Sequence, residues 1–140
     1  LHAATHGNFS SDPNQTFLLL SNELLQVREL NQLLDQESTR LELLVLSACE
    51  TATGDRRAAL GLAGIALRAG AKSTLATLWQ VDDESTATLM SQFYQELREN
   101  PNLPKAEALR NAQLKLWENS SREWQLPFFW APYVIVGNWL

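Results

Sequence analysis

Cys49 is the only cysteine in this 140-residue chain, and His2 and His6 are its only histidines. A thiolate is a strong nucleophile, and a histidine beside it can take the thiol proton and return it to a leaving amine. Cys49 follows the apolar run Leu41-Glu42-Leu43-Leu44-Val45-Leu46 and precedes a glycine-containing loop, Thr51-Ala52-Thr53-Gly54. His6 stands directly before Gly7. A glycine leaves its backbone N–H open to a substrate oxygen, as stabilisation of an oxyanion requires. A lone cysteine is also a common buried structural residue, so these residues alone leave a peptidase-type site and an inert core thiol both open.

The other chemistry-bearing residues form no second cluster of this kind. Asp82 and Asp83 admit three readings: a helix cap, a negative wall for a basic substrate side chain, and a calcium site short of oxygen ligands. His2 shares strand parity with His6 but lies roughly 13 Å away in an extended strand, too far for one metal, and reads as a packed core histidine. With one cysteine and two histidines, neither a metal site nor a cofactor is expected. Glu50 beside Cys49 disfavours a thiolate unless it is solvated. Gly61 and Gly64 read as a packing device, since no Lys-Ser or Lys-Thr pair follows as in a phosphate loop. Of the five tryptophans, Trp124 in a polar stretch is the candidate for an exposed contact, and the others read as core or sheet cover.

Composition narrows the function classes. With 11 basic and 16 acidic residues the net charge is −5, and no basic stripe marks a nucleic-acid module. The hydrophobic content of 45% supports a real core in one domain. No apolar run has the roughly 18 residues of a membrane span. A single cysteine excludes a disulfide-stapled secreted class, and the N-x-S/T patterns at Asn8, Asn14 and Asn119 then read as chance matches.

The elements that must position Cys49 and His6 alternate between strands and helices. Residues 1–7 read as the tail of a buried strand, so earlier strands are expected upstream. Residues 8–15 read as a loop, 17–21 and 24–27 as a short hairpin, and 28–36 as a helix. The run 41–46 is apolar enough for a strand covered on both faces. Residues 58–69 follow as a helix capped by Gly70, and 73–81 as a strand. Asp82-Asp83-Glu84-Ser85 opens a helix to about Arg98 that packs Leu89, Phe93, Tyr94 and Leu97. Pro101 and Pro104 break it, 105–118 forms the next helix, and 130–136 the last strand. This order implies an α/β layer with a largely parallel sheet. Ligands in such sheets sit at the carboxyl ends of strands, where His6-Gly7, Cys49 and Val81-Asp82 all fall.

Ala4-Thr5-His6-Gly7, followed 43 positions after His6 by Ser47-Ala48-Cys49-Glu50-Thr51-Ala52, resembles the paired signature of the CHAT domain, a caspase-like peptidase family often fused to tetratricopeptide repeats in bacteria. Later landmarks agree: Arg57-Ala58-Ala59-Leu60-Gly61-Leu62-Ala63, Leu75-Ala76-Thr77-Leu78-Trp79 with Asp83, and Trp130-Ala131-Pro132-Tyr133. The resemblance implies a caspase-like three-layer sandwich with a mostly parallel sheet, of which residues 1–140 are the C-terminal portion lacking the N-terminal strands. It implies Cys49 as nucleophile, His6 as general acid and base, and the N–H groups of Gly7 and Cys49 as oxyanion hole. It also implies that Ser47 lines the primary specificity pocket. A short neutral serine there is unlike the glutamine of caspases, so aspartate specificity is not expected.

The function expected is a cysteine endopeptidase that cleaves a protein or peptide substrate in the bacterial cytoplasm. An attached sensor or tetratricopeptide domain would control it, with no nucleic acid bound directly and no membrane. Two other classes compete: a non-catalytic caspase-fold scaffold or interaction module, and an amidase or acyltransferase acting on a small substrate. An incomplete sheet would expose an edge and favour self-association.

Overall fold

The structure, a computed structural model, describes residues 1–8, 17–19, 23–26, 29, 32, 41–50, 64, 67, 70–119 and 122–140, with the backbone alone at 3–8, 47–50 and 119. It is a mixed α/β chain that divides into two units, one of Leu1–Gln80 with Val134–Asn138 and one of Val81–Tyr133 with Trp139–Leu140.

The first unit is built on a sheet. Its strands are β1 (His2–Asn8), β2 (Phe17–Leu19), β3 (Leu24–Gln26), β4 (Leu44–Glu50), β5 (Ser73–Thr77) and β6 (Tyr133–Gly137), in the spatial order β3-β2-β1-β4-β5-β6. β4 pairs in parallel with β1 on one side and with β5 on the other. The hairpin β2–β3 adds to β1 in antiparallel sense. Of these four pairings two are parallel and two antiparallel, so the sheet is mixed where a largely parallel one was expected: β2 and β3 pair as a hairpin, which only antiparallel strands allow.

Apolar and β-branched content explains the central strands. Leu44, Val45 and Leu46 of β4 are buried, and every residue of β5 is buried, as expected of strands covered on both faces. Cross-links fix the amino ends of these strands. Lys72 N–H donates to Leu41 O at 2.8 Å, Ser73 Oγ to Glu42 O at 2.6 Å, and Lys72 Nζ pairs with the Glu42 carboxylate. Asn138 N–H donates to Lys72 O at 2.8 Å. Gly70 has φ +101°, the left-handed cap expected after a helix. Glu29 and Gln32, and likewise Gly64 and Leu67, are helical within the two helices expected there; the rest of both lies outside the described residues.

Two expected strands are shorter. β5 ends at Thr77 rather than Val81, so Asp82 lies five positions beyond the strand's carboxyl end instead of on it. The apolar run Leu78-Trp79-Gln80-Val81 extended the sequence pattern past the last paired residue. Over 130–136 the strand starts only at Tyr133, and Trp130 closes a short helix. Pro127 is the reason: its fixed φ suits the first helical position and starts a turn there.

The second unit is a helical hairpin, α1 (Asp83–Glu99) and α2 (Lys105–Asn119), followed by α3 (Pro127–Trp130). Asp82 caps α1, its carboxylate accepting from Ser85 N–H at 2.9 Å. Asp83 and Glu84 in the first turn and Arg98 in the last complement the helix dipole. Leu89, Met90 and Phe93 of α1, and Ala108, Leu109, Ala112 and Leu116 of α2, are buried. Tyr94, expected in the core, is 38% exposed and tilts against Phe93 with ring centroids 5.6 Å apart. Polar ties lock the unit. Glu96 holds Lys115 Nζ at 2.7 Å and Asn111 Nδ2 at 3.1 Å, and the hydroxyls of Thr86 and Tyr133 meet at 2.8 Å.

Candidate active site

The register between β1 and β4 decides where the sequence-predicted catalytic residues stand. It runs His2↔Val45, Ala3↔Leu46, Ala4↔Ser47 and Thr5↔Ala48, and resumes at Asn8↔Glu50. Two residues of β1, His6 and Gly7, therefore stand opposite one residue of β4, Cys49. This is a bulge, an irregularity rare in parallel pairs that re-aims or ends pairing and recurs beside active sites. His6 and Gly7 are followed by one last residue of β1, and Cys49 by one last residue of β4. The three residues singled out for chemistry thus share the carboxyl end of adjacent parallel strands, where open α/β sheets place their ligands.

The folding reason is local. The buried run Leu44-Val45-Leu46 anchors the first half of β4, and the regular ladder from His2 to Thr5 matches it. At Gly7 the chain is also in register with Leu18 of β2. β1 is thus held by β2 where its pairing to β4 slips. Ser47, the specificity-pocket candidate, is in register with Ala4, one paired position (Thr5↔Ala48) before the bulge. The side chains of His6, Ser47, Cys49 and Glu50 lie outside the described residues, as do Thr51, Gly54, Arg56 and Arg57.

The remaining candidates have clear positions. Asp82 makes the cap: besides the carboxylate contact to Ser85, its carbonyl accepts from Thr86 N–H at 3.0 Å and from Thr86 Oγ1 at 2.6 Å. Asp83 is exposed in the first turn of α1. Both aspartates belong to the helical unit, and His6, Gly7, Ser47 and Cys49 to the sheet unit. His2 is exposed, not the packed core histidine its position suggested. Partial burial and then the positive amino terminus hold its pKa below 6.5. Among the described residues no group of three or more His, Cys, Asp or Glu could hold a metal. No helix among them is long and apolar enough to cross a membrane.

Sequence reasoning missed the most exposed tryptophans. Trp117 and Trp139 are 46% and 54% exposed, whereas Trp124, the expected contact, is half-buried. Spacing held the missing signal: Arg110, Gln113, Leu114 and Trp117 follow the i, i+3, i+4, i+7 rule of a single helical stripe.

No curated protein matches the chain. The family model described as the CHAT domain matches residues 1–138, which takes in His6, Cys49 and both strands that carry them. With nearly its whole length covered by that match, the chain belongs to the CHAT domain family, a caspase-like family with a peptidase-related function.

Proposed function

We propose that the chain is the C-terminal, catalytic portion of a cysteine endopeptidase domain with the caspase-like three-layer sandwich. The observation that carries this reading is the bulge that sets His6 and Gly7 opposite Cys49 at the ends of β1 and β4. The parallel centre β1-β4-β5 supports the sandwich, with β2–β3 as an antiparallel addition at one side.

In this mechanism His6 takes the thiol proton of Cys49, and the thiolate attacks the scissile carbonyl carbon. The carbonyl oxygen becomes an oxyanion held by the backbone N–H groups of Gly7 and Cys49. Collapse breaks the C–N bond, and His6 protonates the departing amine, leaving a thioester on Cys49. Water, deprotonated by His6, then attacks the thioester; the acid leaves and the thiol is restored. Ser47 lines the primary specificity pocket and, being short and neutral, does not favour an aspartate side chain.

The substrate is a protein or peptide, and a tetratricopeptide or other sensor domain in the same protein controls cleavage in a bacterial cytoplasm. No cofactor takes part, and neither nucleic acid nor membrane is bound directly. The chain also self-associates through a sheet edge; β3, at one end of the strand order with Leu24 53% exposed, is the candidate. Cys49→Ala and His6→Ala in the protein that carries this domain test the mechanism. Each should abolish cleavage of its substrate, and unchanged cleavage in either variant contradicts it.

A further inference from the structure

The helical unit holds a groove of about 430 Å³ lined by Arg110, Gln113, Leu114, Trp117 and Trp130. That volume falls in the range of roughly 300–1,000 Å³ usual for ligand sites. Four of the five lining residues form one stripe on α2, seven positions or about 10 Å long at the helical rise. An extended chain spans this with about three residues, so the groove has the length of a peptide segment.

Hydrogen bonds hold Gln113 and Trp130 in its lining. Gln113 Nε2 donates to the Trp130 carbonyl at 2.8 Å, and the Trp130 indole N–H donates to Gln125 O at 3.2 Å. The two tryptophan rings and Leu114 supply the apolar part of the lining, and Gln113, whose Nε2 is used by Trp130, has its amide oxygen as an acceptor. Arg110, exposed at one end, is the only charged residue of the lining. No carboxylate among the described residues pairs with it. An unpaired guanidinium beside an apolar surface is complementary to a carboxylate joined to an apolar group.

We propose that this groove docks an extended segment of a partner protein in which a carboxylate side chain on Arg110 is followed, about three residues on, by an aliphatic or aromatic side chain seated on Trp117 and Trp130. A backbone N–H between them donates to Gln113 Oε1. The surface lies wholly within the helical unit, and its function does not depend on Cys49.

The test uses the 140-residue chain with ¹⁵N-labelled indoles, assigned through Trp117→Phe and Trp130→Phe. It is titrated with Ac-Asp-Gly-Ser-Leu-NH2 and with Ac-Lys-Gly-Ser-Leu-NH2. The aspartyl peptide should shift the Trp117 and Trp130 signals, with the lysyl peptide bound about fivefold more weakly. Arg110→Gln should remove that discrimination and Arg110→Lys keep part of it, while the other three indoles report an intact fold. The proposal is overturned if neither signal moves at millimolar peptide, if both peptides bind equally, or if Arg110→Gln leaves the discrimination unchanged. Hexanoate binding as tightly as the aspartyl peptide would instead assign the groove to a small carboxylate. Shifts that depend on protein concentration without peptide, and vanish in Trp117→Ala, would assign it to a second copy.

Discussion

Thr74, the second residue of β5, has no exposed surface, and its hydroxyl has no partner among the described residues. Its neighbour Ser73, equally buried, gives its hydroxyl to Glu42 O. Burying an unpaired hydroxyl costs about 1–3 kcal/mol, while valine keeps the branched shape without that cost. Thr74→Val should therefore raise stability by about 1 kcal/mol in chemical denaturation; a loss of that size would show that the hydroxyl has a partner. Gly137 is the opposite case. Its φ is +99°, and an added Cβ would stand 2.5 Å from both Leu67 Cδ2 and Lys72 O. A left-handed side chain costs about 1–2 kcal/mol and forced overpacking about 1–3. Gly137→Ala should thus lose roughly 2–5 kcal/mol of unfolding free energy, and a loss below about 0.5 would contradict the packing described at the end of β6.

Between α1 and α2, Glu96 is the polar hinge pin. Its carboxylate is 12% exposed and binds both Lys115 and Asn111. The hydrogen bond from Lys115, then that from Asn111, hold its pKa below 4.5. A carboxylate with a lowered folded pKa stabilises the fold above its unfolded value and loses that contribution as pH falls through the folded one. Glu96→Gln should cost about 1 kcal/mol at neutral pH, with the gap to wild type closing as pH drops below 4.5. A gap independent of pH would contradict the pairing. Elements of this unit were largely legible in the sequence. Asp82 before Asp83, Glu84 and Ser85 reads as a cap because a short acidic side chain can satisfy the first free N–H groups. Ala108, Leu109, Ala112 and Leu116 repeat at helical spacing and are all buried. Less legible were the ends of β5 and β6, where apolar residues continue beyond the paired strand and periodicity cannot tell a strand from a turn. The bulge between His6 and Cys49 could not be read at all, because register belongs to two strands far apart in sequence. Only the two motifs, taken together, linked those residues.

At the scale of the whole molecule, the mixed sheet leaves β3 and β6 at the two ends of the strand order. A strand edge with an exposed leucine invites pairing with another copy, and a lysine there opposes it. Leu24→Lys should convert an associating chain to a monomer in sedimentation velocity; association that persists unchanged, or a wild type that is already monomeric at high concentration, contradicts the edge contact. In the proposed mechanism the β1/β4 bulge assembles a working Cys49–His6 pair. Its most direct test is the pH dependence of Cys49 alkylation by iodoacetamide, with His6→Ala alongside, because the reagent needs no specificity pocket. Alkylation should be fast and extend below the ordinary thiol range near pH 8.5, and should be about tenfold slower in His6→Ala at neutral pH. A slow rate with an ordinary thiol profile, the same in both proteins, would contradict it.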